Sequence, residues 1–358
     1  MNLREKYLNA IKRRANDYVP FYFSLTPPQV EKFRSIYGND NYEEKFKFPV
    51  RGVWVPYIGE KPKDKFKSYL TKWQGNSKLN VGEFGNVSIQ AKDSHFAHYE
   101  AIMGDFDKIE DFEKYPYPNA EKDYDWSFVN KLVNEYHKKG LAAEAGLACT
   151  IFEIGWYMRG MENMLMDMYF EEELLSYHLD RITEIRCIMA ARFVKAGVDV
   201  LQLGDDIATQ RGMMMKPEMW RKFFKGRLSR VIQSARKVNP GIIIKYHTDG
   251  NPSEVIPDLI EIGIDILNPI QPECISPEYV KETYGDKLSM DGTLGTQSVF
   301  PFGTPEDVRK QCLKIIRACA YNGGLVIAPS HVIEPEVPWE NIEAFVQAVN
   351  DFNDGIFK

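Results

Sequence analysis

Short apolar runs alternate with stretches of helical period over most of the chain after residue 127. The run at 241–247 is the clearest strand, and 198–204 is a second apolar, β-branched run. Similar short runs lie at 141–145, 264–268, 288–291 and 325–328. Helical patterns separate them, at 125–139, 158–168, 171–196, 217–237, 252–261 and 277–284, from 304 onward, and at 339–352. Strands of this length that alternate with helices predict a parallel sheet.

The strand count favours a closed barrel. Six such strands follow residue 140, and 19–23 supplies a candidate for another. No GxGxxG motif follows any of them, which argues against a dinucleotide-binding open sheet. We therefore predict an α/β fold of the (β/α)8 TIM-barrel type.

The region from about 30 to 125 has a different texture, rich in Lys, Asp, Tyr, Gly and Pro. It predicts an irregular N-terminal elaboration with small helices and a hairpin. Because nothing in it resembles a linker, residues 1–358 are predicted to form a single domain.

Composition and charge narrow the classes of function. The formal net charge of −6, without a basic stripe, argues against a nucleic-acid partner. No apolar run approaches the roughly 20 residues of a membrane span. The first residues mix charges and lead into no signal-peptide segment, so the cytoplasm is the expected location. The five cysteines form no CxxC pair, which argues against a disulfide framework and a thiolate zinc knuckle.

Polar residues recur at one end of successive predicted strands. They are Glu144 within the first strand after residue 140, Asp205 and Asp206 after the second, His247 and Asp249 after the third, Gln271 after the fourth, Asp291 after the fifth, and Ser330 and His331 after the sixth. In a barrel these positions line the open end where catalysis takes place. The pattern therefore predicts a site at the C-terminal ends of the strands.

Two histidines and an aspartate stand out among these residues. His247 and Asp249 are one residue apart at a strand end, and His331 arrives from another strand. Three protein ligands with one open position are typical of a catalytic zinc ion. The alternative is that each histidine is a hydrogen-bonded loop residue.

The remaining acidic and imidazole groups leave several roles open. Asp205 and Asp206 fit a further metal ligand with its hydrogen-bonding partner, a general acid/base, or a helix N-cap. Glu144 is a weaker candidate for the acid/base role. His95 and His98 fit either the surface or a substrate lid, and the other two histidines, His137 and His178, fit packing or surface positions on predicted helices.

Several segments together resemble the uroporphyrinogen decarboxylase superfamily. They are 204–212 with the Pro-Glu-Met-Trp that begins at Pro217, the His-Thr-Asp-Gly at 247–250, 266–272, and the Ala-Pro-Ser-His at 328–331. The opening residues 8–11 with 19–20 are also similar. The resemblance covers essentially the whole chain, loosely between 30 and 125, and implies a barrel with its site at the strand ends.

The superfamily has two main chemistries, and the sequence favours one of them. The decarboxylases carry an N-terminal Arg-Gln-Ala-Gly-Arg-Tyr stretch that grips substrate carboxylates. The matching segment here, 23–28, contains no arginine. A metal-free decarboxylase therefore becomes the alternative, and a non-catalytic binding barrel is a further one.

The zinc-dependent corrinoid methyltransferases of the superfamily carry His-x-Cys and a later Pro-Gly-Cys. His247 matches the histidine, whereas Asp249 and His331 replace the two cysteines. A His2Asp set makes zinc a harder Lewis acid, suited to an oxygen ligand. The resemblance then implies zinc-dependent O-demethylation of a small methoxylated aromatic, with either direction of methyl transfer open. The chain has no Asp-x-His-x-x-Gly corrinoid motif, so a partner protein must supply the corrinoid (cobalamin). The sequence also allows a homodimer.

Overall fold

The computed structural model describes residues 1–14, 17–90 and 97–356. Short elements make up its N-terminal part. They are α1 (Leu3–Ile11), α2 (Pro27–Tyr37), α3 (Tyr42–Lys45), β1 (Val50–Val53), α4 (Pro62–Lys65), two 3-10 turns (Lys67–Tyr69 and Thr71–Trp73), β2 (Leu79–Val81), β3 (Val87–Gln90), β4 (Ala97–Glu100) and α5 (Ile109–Lys114). The predicted irregular elaboration thus contains small helices and an antiparallel sheet in the order β2-β3-β4.

Strands and longer helices alternate in the rest of the chain. In order they are α6 (Trp126–Lys138), β5 (Ala142–Ala148), α7 (Phe152–Arg159), α8 (Met161–Phe170), α9 (Glu172–Lys195), β6 (Val200–Gly204), β7 (Ala208–Thr209), β8 (Gly212–Met213), α10 (Pro217–Trp220), a π-helical turn (Arg221–Lys225), α11 (Gly226–Val238), β9 (Ile243–His247), a 3-10 turn (Ser253–Val255), α12 (Ile256–Ile262), β10 (Ile266–Asn268), α13 (Pro277–Tyr284), β11 (Ser289–Asp291), α14 (Val299–Phe302), α15 (Pro305–Cys319), β12 (Leu325–Val326) and α16 (Trp339–Asn353).

Seven strands form one parallel sheet in the order β1-β5-β6-β9-β10-β11-β12. The chain segment before α2 closes this sheet. Phe21 makes a parallel bridge to Ile327, directly after β12, and the Phe21 ring lies 5.7 Å from that of Phe48, just before β1. The segment therefore lies between the last and first strands. The strand predicted at 19–23 is represented here by an isolated bridge at Phe21 rather than by a full strand. The prediction of an α/β barrel is confirmed.

Helix α1 covers the N-terminal end of the barrel. An apolar cluster joins this helix to the first residues of five strands and to Val326 of β12: Tyr7, Ile11, Val50, Ala142, Val200, Ile243, Ile266 and Val326. The amide of Gly324, just before β12, also donates to the carbonyl of Ala10 at 2.8 Å. Because this end is filled with side chains, solvent and substrate must reach the barrel from the opposite end.

The N-terminal elaboration packs against α7 and α8. Arg159, buried at the end of α7, donates to the carbonyls of Met103 at 2.7 Å and Phe106 at 2.9 Å, and it pairs with Asp167 at 2.7 Å. One hydrophobic core cluster includes residues of both regions. The division of the chain into a single domain stays a prediction. Among the described residues, no helix combines the length and the apolar character that a membrane span requires.

Candidate metal centre

Three potential metal ligands meet at the C-terminal ends of β6 and β9. Asp206 follows β6, His247 ends β9, and Asp249 lies two residues further on; one ligand atom from each lies within 4.8 Å of the other two. The His247 Nε2 atom is 3.8 Å from Oδ1 of Asp206 and 3.8 Å from Oδ1 of Asp249. All three side chains are partly exposed, so a small ion can reach them from solvent.

The orientation of His247 is fixed by a neighbouring strand. Asn268 ends β10 in register with His247, and its Oδ1 accepts a 2.7 Å hydrogen bond from His247 Nδ1. With the proton on Nδ1, the Nε2 lone pair faces the two carboxylates. A second hydrogen bond of this kind is how proteins hold a histidine in the tautomer that binds a metal.

The ends of β6 and β9 approach each other closely beside the three-residue group. Gly204, the last residue of β6, pairs with His247, and a Cβ added to it would lie 2.6 Å from the His247 carbonyl oxygen and 2.7 Å from its Cβ. The backbone amide of Asp249 donates to Asp206 Oδ1 at 2.8 Å. A glycine at the strand end thus permits the contact that brings Asp206 beside its two partners.

Asp205 points away from this group and caps a helix. Its carboxylate is 3% exposed and accepts hydrogen bonds from the amides of Ile151 and Glu153, each at 3.0 Å, at the start of α7. Burial, and then the Glu153 carboxylate, raise its pKa to about 8, against the lowering effect of the amides. Asp205 is therefore not the N-cap of a helix of its own, since β7 follows it, but it satisfies the free amides at the start of α7 from a neighbouring strand end.

Glu153 lies beside the group, although the sequence analysis did not select it. Its carboxylate accepts hydrogen bonds from the amide of Asp206 and, at 2.7 Å, from the hydroxyl of Tyr157. Burial, and then the charge of Asp206, raise the pKa of Glu153. It follows β5 by five residues on the first turn of α7. A glutamate in the first turn of a helix is too common for the sequence alone to identify it.

Aromatic side chains border Glu153. The rings of Tyr99, from β4, and Tyr157 are stacked with centroids 3.7 Å apart, and Trp156 meets Tyr99 edge-on at 5.4 Å. All three are only partly buried. In this aromatic wall Tyr99 and Tyr157 cover one face of each other, so an aromatic ligand can stack only on an outer ring face.

The other selected residues lie outside the three-residue group. His331 is exposed, and its charge acts on Asp249: burial raises the pKa of Asp249, Asp206 raises it further, and His247 and His331 lower it. Glu144 contacts Lys245 inside the barrel at 2.9 Å. The roles assigned to His331 and Glu144 stay predictions.

The remaining histidines show surface and packing contacts. His98 is exposed on β4 beside Glu100, and His95 lies outside the described residues. His137 contacts Asp199 at 3.0 Å, and His178 is fully buried in α9.

Comparisons with known proteins agree with this picture. The family model for uroporphyrinogen decarboxylase matches residues 101–352. A methylcobamide:CoM methyltransferase of Methanosarcina barkeri is 28% identical over 181 residues, 50% of either chain, and a uroporphyrinogen decarboxylase of Legionella pneumophila is 23% identical over 207 residues, 58% of this chain and 56% of its own. The chain thus spans about half the length of the curated relatives it matches. The solved structure of a methyltransferase from Methanosarcina mazei covers 98% of this chain and 99% of its own with a TM-score of 0.69 at 19% identity, which shows a shared fold.

Proposed function

Because the chain belongs to the uroporphyrinogen decarboxylase family, we propose that it is a zinc-dependent methyltransferase acting with a corrinoid protein. Its substrate is a small methoxylated aromatic, and the reaction is O-demethylation. The observation that supports this most is the group of Asp206, His247 and Asp249 at the open end of the barrel.

The donors of this group fit zinc. One imidazole nitrogen and two carboxylate oxygens are ligands that zinc accepts, with a fourth position open for substrate. Ligand atoms around a tetrahedral zinc ion are about 3.4 Å apart, so the two 3.8 Å separations at His247 Nε2 need only a small contraction.

The ligand set proposed here is therefore His247 and Asp249, with Asp206 as the third member from the geometry. His331, the third ligand expected from the sequence, is the next candidate because it lies near enough to lower the pKa of Asp249. When bound, zinc would supply Lewis-acid polarisation of a substrate oxygen. Methyl transfer to a corrinoid additionally requires the partner protein, since the sequence contains no corrinoid motif of its own.

The protein's own residues have two tasks in this reaction. Within the aromatic wall, an outer face of the stacked Tyr99 and Tyr157 pair can hold an aromatic ring of the substrate. Glu153, which accepts a hydrogen bond from the Tyr157 hydroxyl beside the group, is placed to donate a proton to the phenolate oxygen that remains after methyl loss. The similarity to a methylcobamide:CoM methyltransferase supports methyl transfer as the reaction class.

A direct assay tests this proposal. The purified protein is incubated with zinc, 4-methoxyphenol and cob(I)alamin as a stand-in for the partner's cofactor, and methylcobalamin formation is followed by absorbance. We expect turnover in the wild type and a loss of at least about tenfold in Asp206→Asn. A similar loss in His331→Ala would place His331 in the ligand set as well. Absence of turnover with every methoxylated aromatic, together with release of carbon dioxide from a porphyrinogen, would favour the decarboxylase alternative.

A further inference from the structure

A second polar cluster lies inside the barrel, deeper than the three-residue group. This interior cluster consists of Tyr22, Glu144, Lys245 and Asp291. Lys245 and His247 are two residues apart on β9, so both side chains point into the barrel. Lys245 lies about 7 Å deeper, the rise of two strand residues.

Lys245 is the centre of this interior cluster. Its ammonium nitrogen lies 2.9 Å from Glu144 Oε1, 2.8 Å from Asp291 Oδ2 and 3.0 Å from the Tyr22 hydroxyl. The Tyr22 hydroxyl in turn donates to Asp291 Oδ2 at 2.7 Å. The side chains of Lys245 and Asp291 are 2% and 1% exposed, whereas that of Glu144 is 13% exposed. Glu144 is therefore the carboxylate of the interior cluster that solvent reaches.

The charges of the interior cluster do not balance. Two carboxylates face one ammonium group, and Asp291 Oδ1 is buried without a hydrogen-bond partner. A buried excess of negative charge is unfavourable unless further donors approach it. A ligand that donates a hydrogen bond would be favoured here, and a second anion would be repelled.

Open space leads from the barrel mouth to Glu144. Gly146 and Ala148 follow Glu144 on the same face of β5 and are exposed. Gly52 pairs with Glu144 in register on β1 and is exposed as well. A Cβ added to Gly52 or Gly146 would meet no atom within 4 Å. Since these residues face the interior, the barrel is not filled at this level.

The side-chain amide of Gln202 faces the same open space in the barrel interior. Gln202 on β6 lies in register between Gly146 and Lys245 and is half-buried. Its side chain makes no hydrogen bond to any residue in the part of the chain that the structure describes. An interior amide of this kind is available to a ligand.

From this juxtaposition we propose that the barrel interior contains a substrate subsite, in which Glu144 accepts the hydrogen bond of a hydroxyl group remote from the reacting methoxyl and the Gln202 amide donates to the oxygen of that hydroxyl. This inference rests on the proposed function and deepens it. It assigns Glu144 to specificity rather than to proton transfer. It selects methoxyphenols and disfavours methoxybenzoates, whose carboxylate would meet the excess negative charge.

The subsite is tested by binding, which needs no corrinoid. Calorimetric titration of the full chain uses 4-methoxyphenol, 4-methoxybenzoate and 1,4-dimethoxybenzene. The wild type should bind the phenol at least about tenfold more tightly than either of the others. In Glu144→Gln, 4-methoxyphenol should bind less than about threefold more tightly than 4-methoxybenzoate, because one of the two carboxylates is removed. Glu135→Gln, at an exposed pair with Lys139 on α6, serves as the matched control and should keep the full preference.

Gln202→Met is the second variant, because it leaves the ion pairs of the interior cluster intact if Glu144→Gln does not fold. Gln202→Met should weaken the binding of 4-methoxyphenol severalfold. The affinity for 1,4-dimethoxybenzene should stay unchanged. Equal affinities for the three probes, or unchanged ratios in folded variants, would overturn the subsite even if methyl transfer is observed. If the affinity ratios are as expected but the protein does not methylate cob(I)alamin, the subsite is supported and the proposed reaction is wrong.

Discussion

At the scale of single residues, His247 illustrates how a strand end prepares a ligand. Its Nδ1 atom is tied to Asn268, and its Nε2 atom faces Asp206 and Asp249 at equal distances of 3.8 Å. Neither distance is a hydrogen bond. The imidazole is therefore held in place by one nitrogen while the other remains available.

Asn268 should consequently control metal affinity without being a ligand. Asn268→Leu removes the acceptor for His247 Nδ1, and we expect zinc affinity to fall about 10–100-fold. Asn268→Asp keeps an acceptor at the same position and should retain most of the affinity. Competition with a chromogenic chelator measures both. Equal affinities of the leucine variant and the wild type would show that the hydrogen bond does not position the histidine.

At the scale of elements, the close pairing of β6 with β9 determines where Asp206 lies. A side chain at Gly204 would overlap the His247 backbone and Cβ. Gly204→Ala should therefore lower the free energy of unfolding by about 1–3 kcal/mol and weaken zinc binding as the two strand ends separate.

Gly226 is the matched control for this substitution. It begins α11 within a continuous helical stretch, and an added Cβ meets no atom within 4 Å. Gly226→Ala should leave zinc binding unchanged and stabilise the protein by about 0.5–1 kcal/mol, because alanine is the better helix former. Urea unfolding of Gly204→Ala and Gly226→Ala measures both effects. Equal changes in stability would contradict the steric overlap expected at Gly204.

Helices α7 and α9 are joined by a buried histidine. His178 of α9 contacts the Gly155 carbonyl of α7 at 3.2 Å and the Tyr117 hydroxyl at 2.9 Å, and burial lowers its pKa from 6.5 to about 4. The unfolded chain therefore takes up a proton in a pH range in which the folded protein does not. The stability that His178 contributes is present above pH 6.5 and is lost as the pH falls toward 4.

Because of this linkage, His178 should lower the free energy of unfolding by about 2 kcal/mol when the pH falls from about 7.5 to about 5. Urea unfolding at the two pH values measures it, and His178→Gln should be less sensitive to pH by this amount. His98→Gln, at an exposed histidine on β4, should behave like the wild type. An unchanged pH dependence in His178→Gln would mean that folding does not lower the pKa of His178.

At the scale of the whole molecule, most of the barrel follows from the sequence pattern because its strands after residue 140 are short apolar runs between helices. The exception is β1 (Val50–Val53), which contains Arg51 and Gly52 and lies in the region predicted as an irregular elaboration. The six strands predicted after residue 140 and the closing segment near Phe21 all appear in the structure. The site is less accessible to sequence reasoning. His247 and Asp249 lie at a recognisable strand end, but the approach of Glu153 depends on how α7 begins, and the aromatic wall depends on β4 in the irregular elaboration. Such contacts between distant segments have no local signal.

The role of Glu144 shows the same limit. The sequence places a carboxylate on a barrel strand, but only the arrangement of Lys245 and Asp291 around it shows that it belongs to a deeper, charge-paired layer. The predicted strand ends at residue 145, whereas β5 extends to Ala148, so Glu144 lies four residues before the C-terminal end of its strand.

The most direct test of the account as a whole is the zinc content of the purified protein, measured by mass spectrometry of dissolved metals beside His247→Ala. We expect close to one zinc ion per chain after reconstitution and dialysis, and almost none in the variant. Equal metal content in the two proteins, or no zinc in either, would contradict the assignment of the Asp206, His247 and Asp249 group as the metal centre.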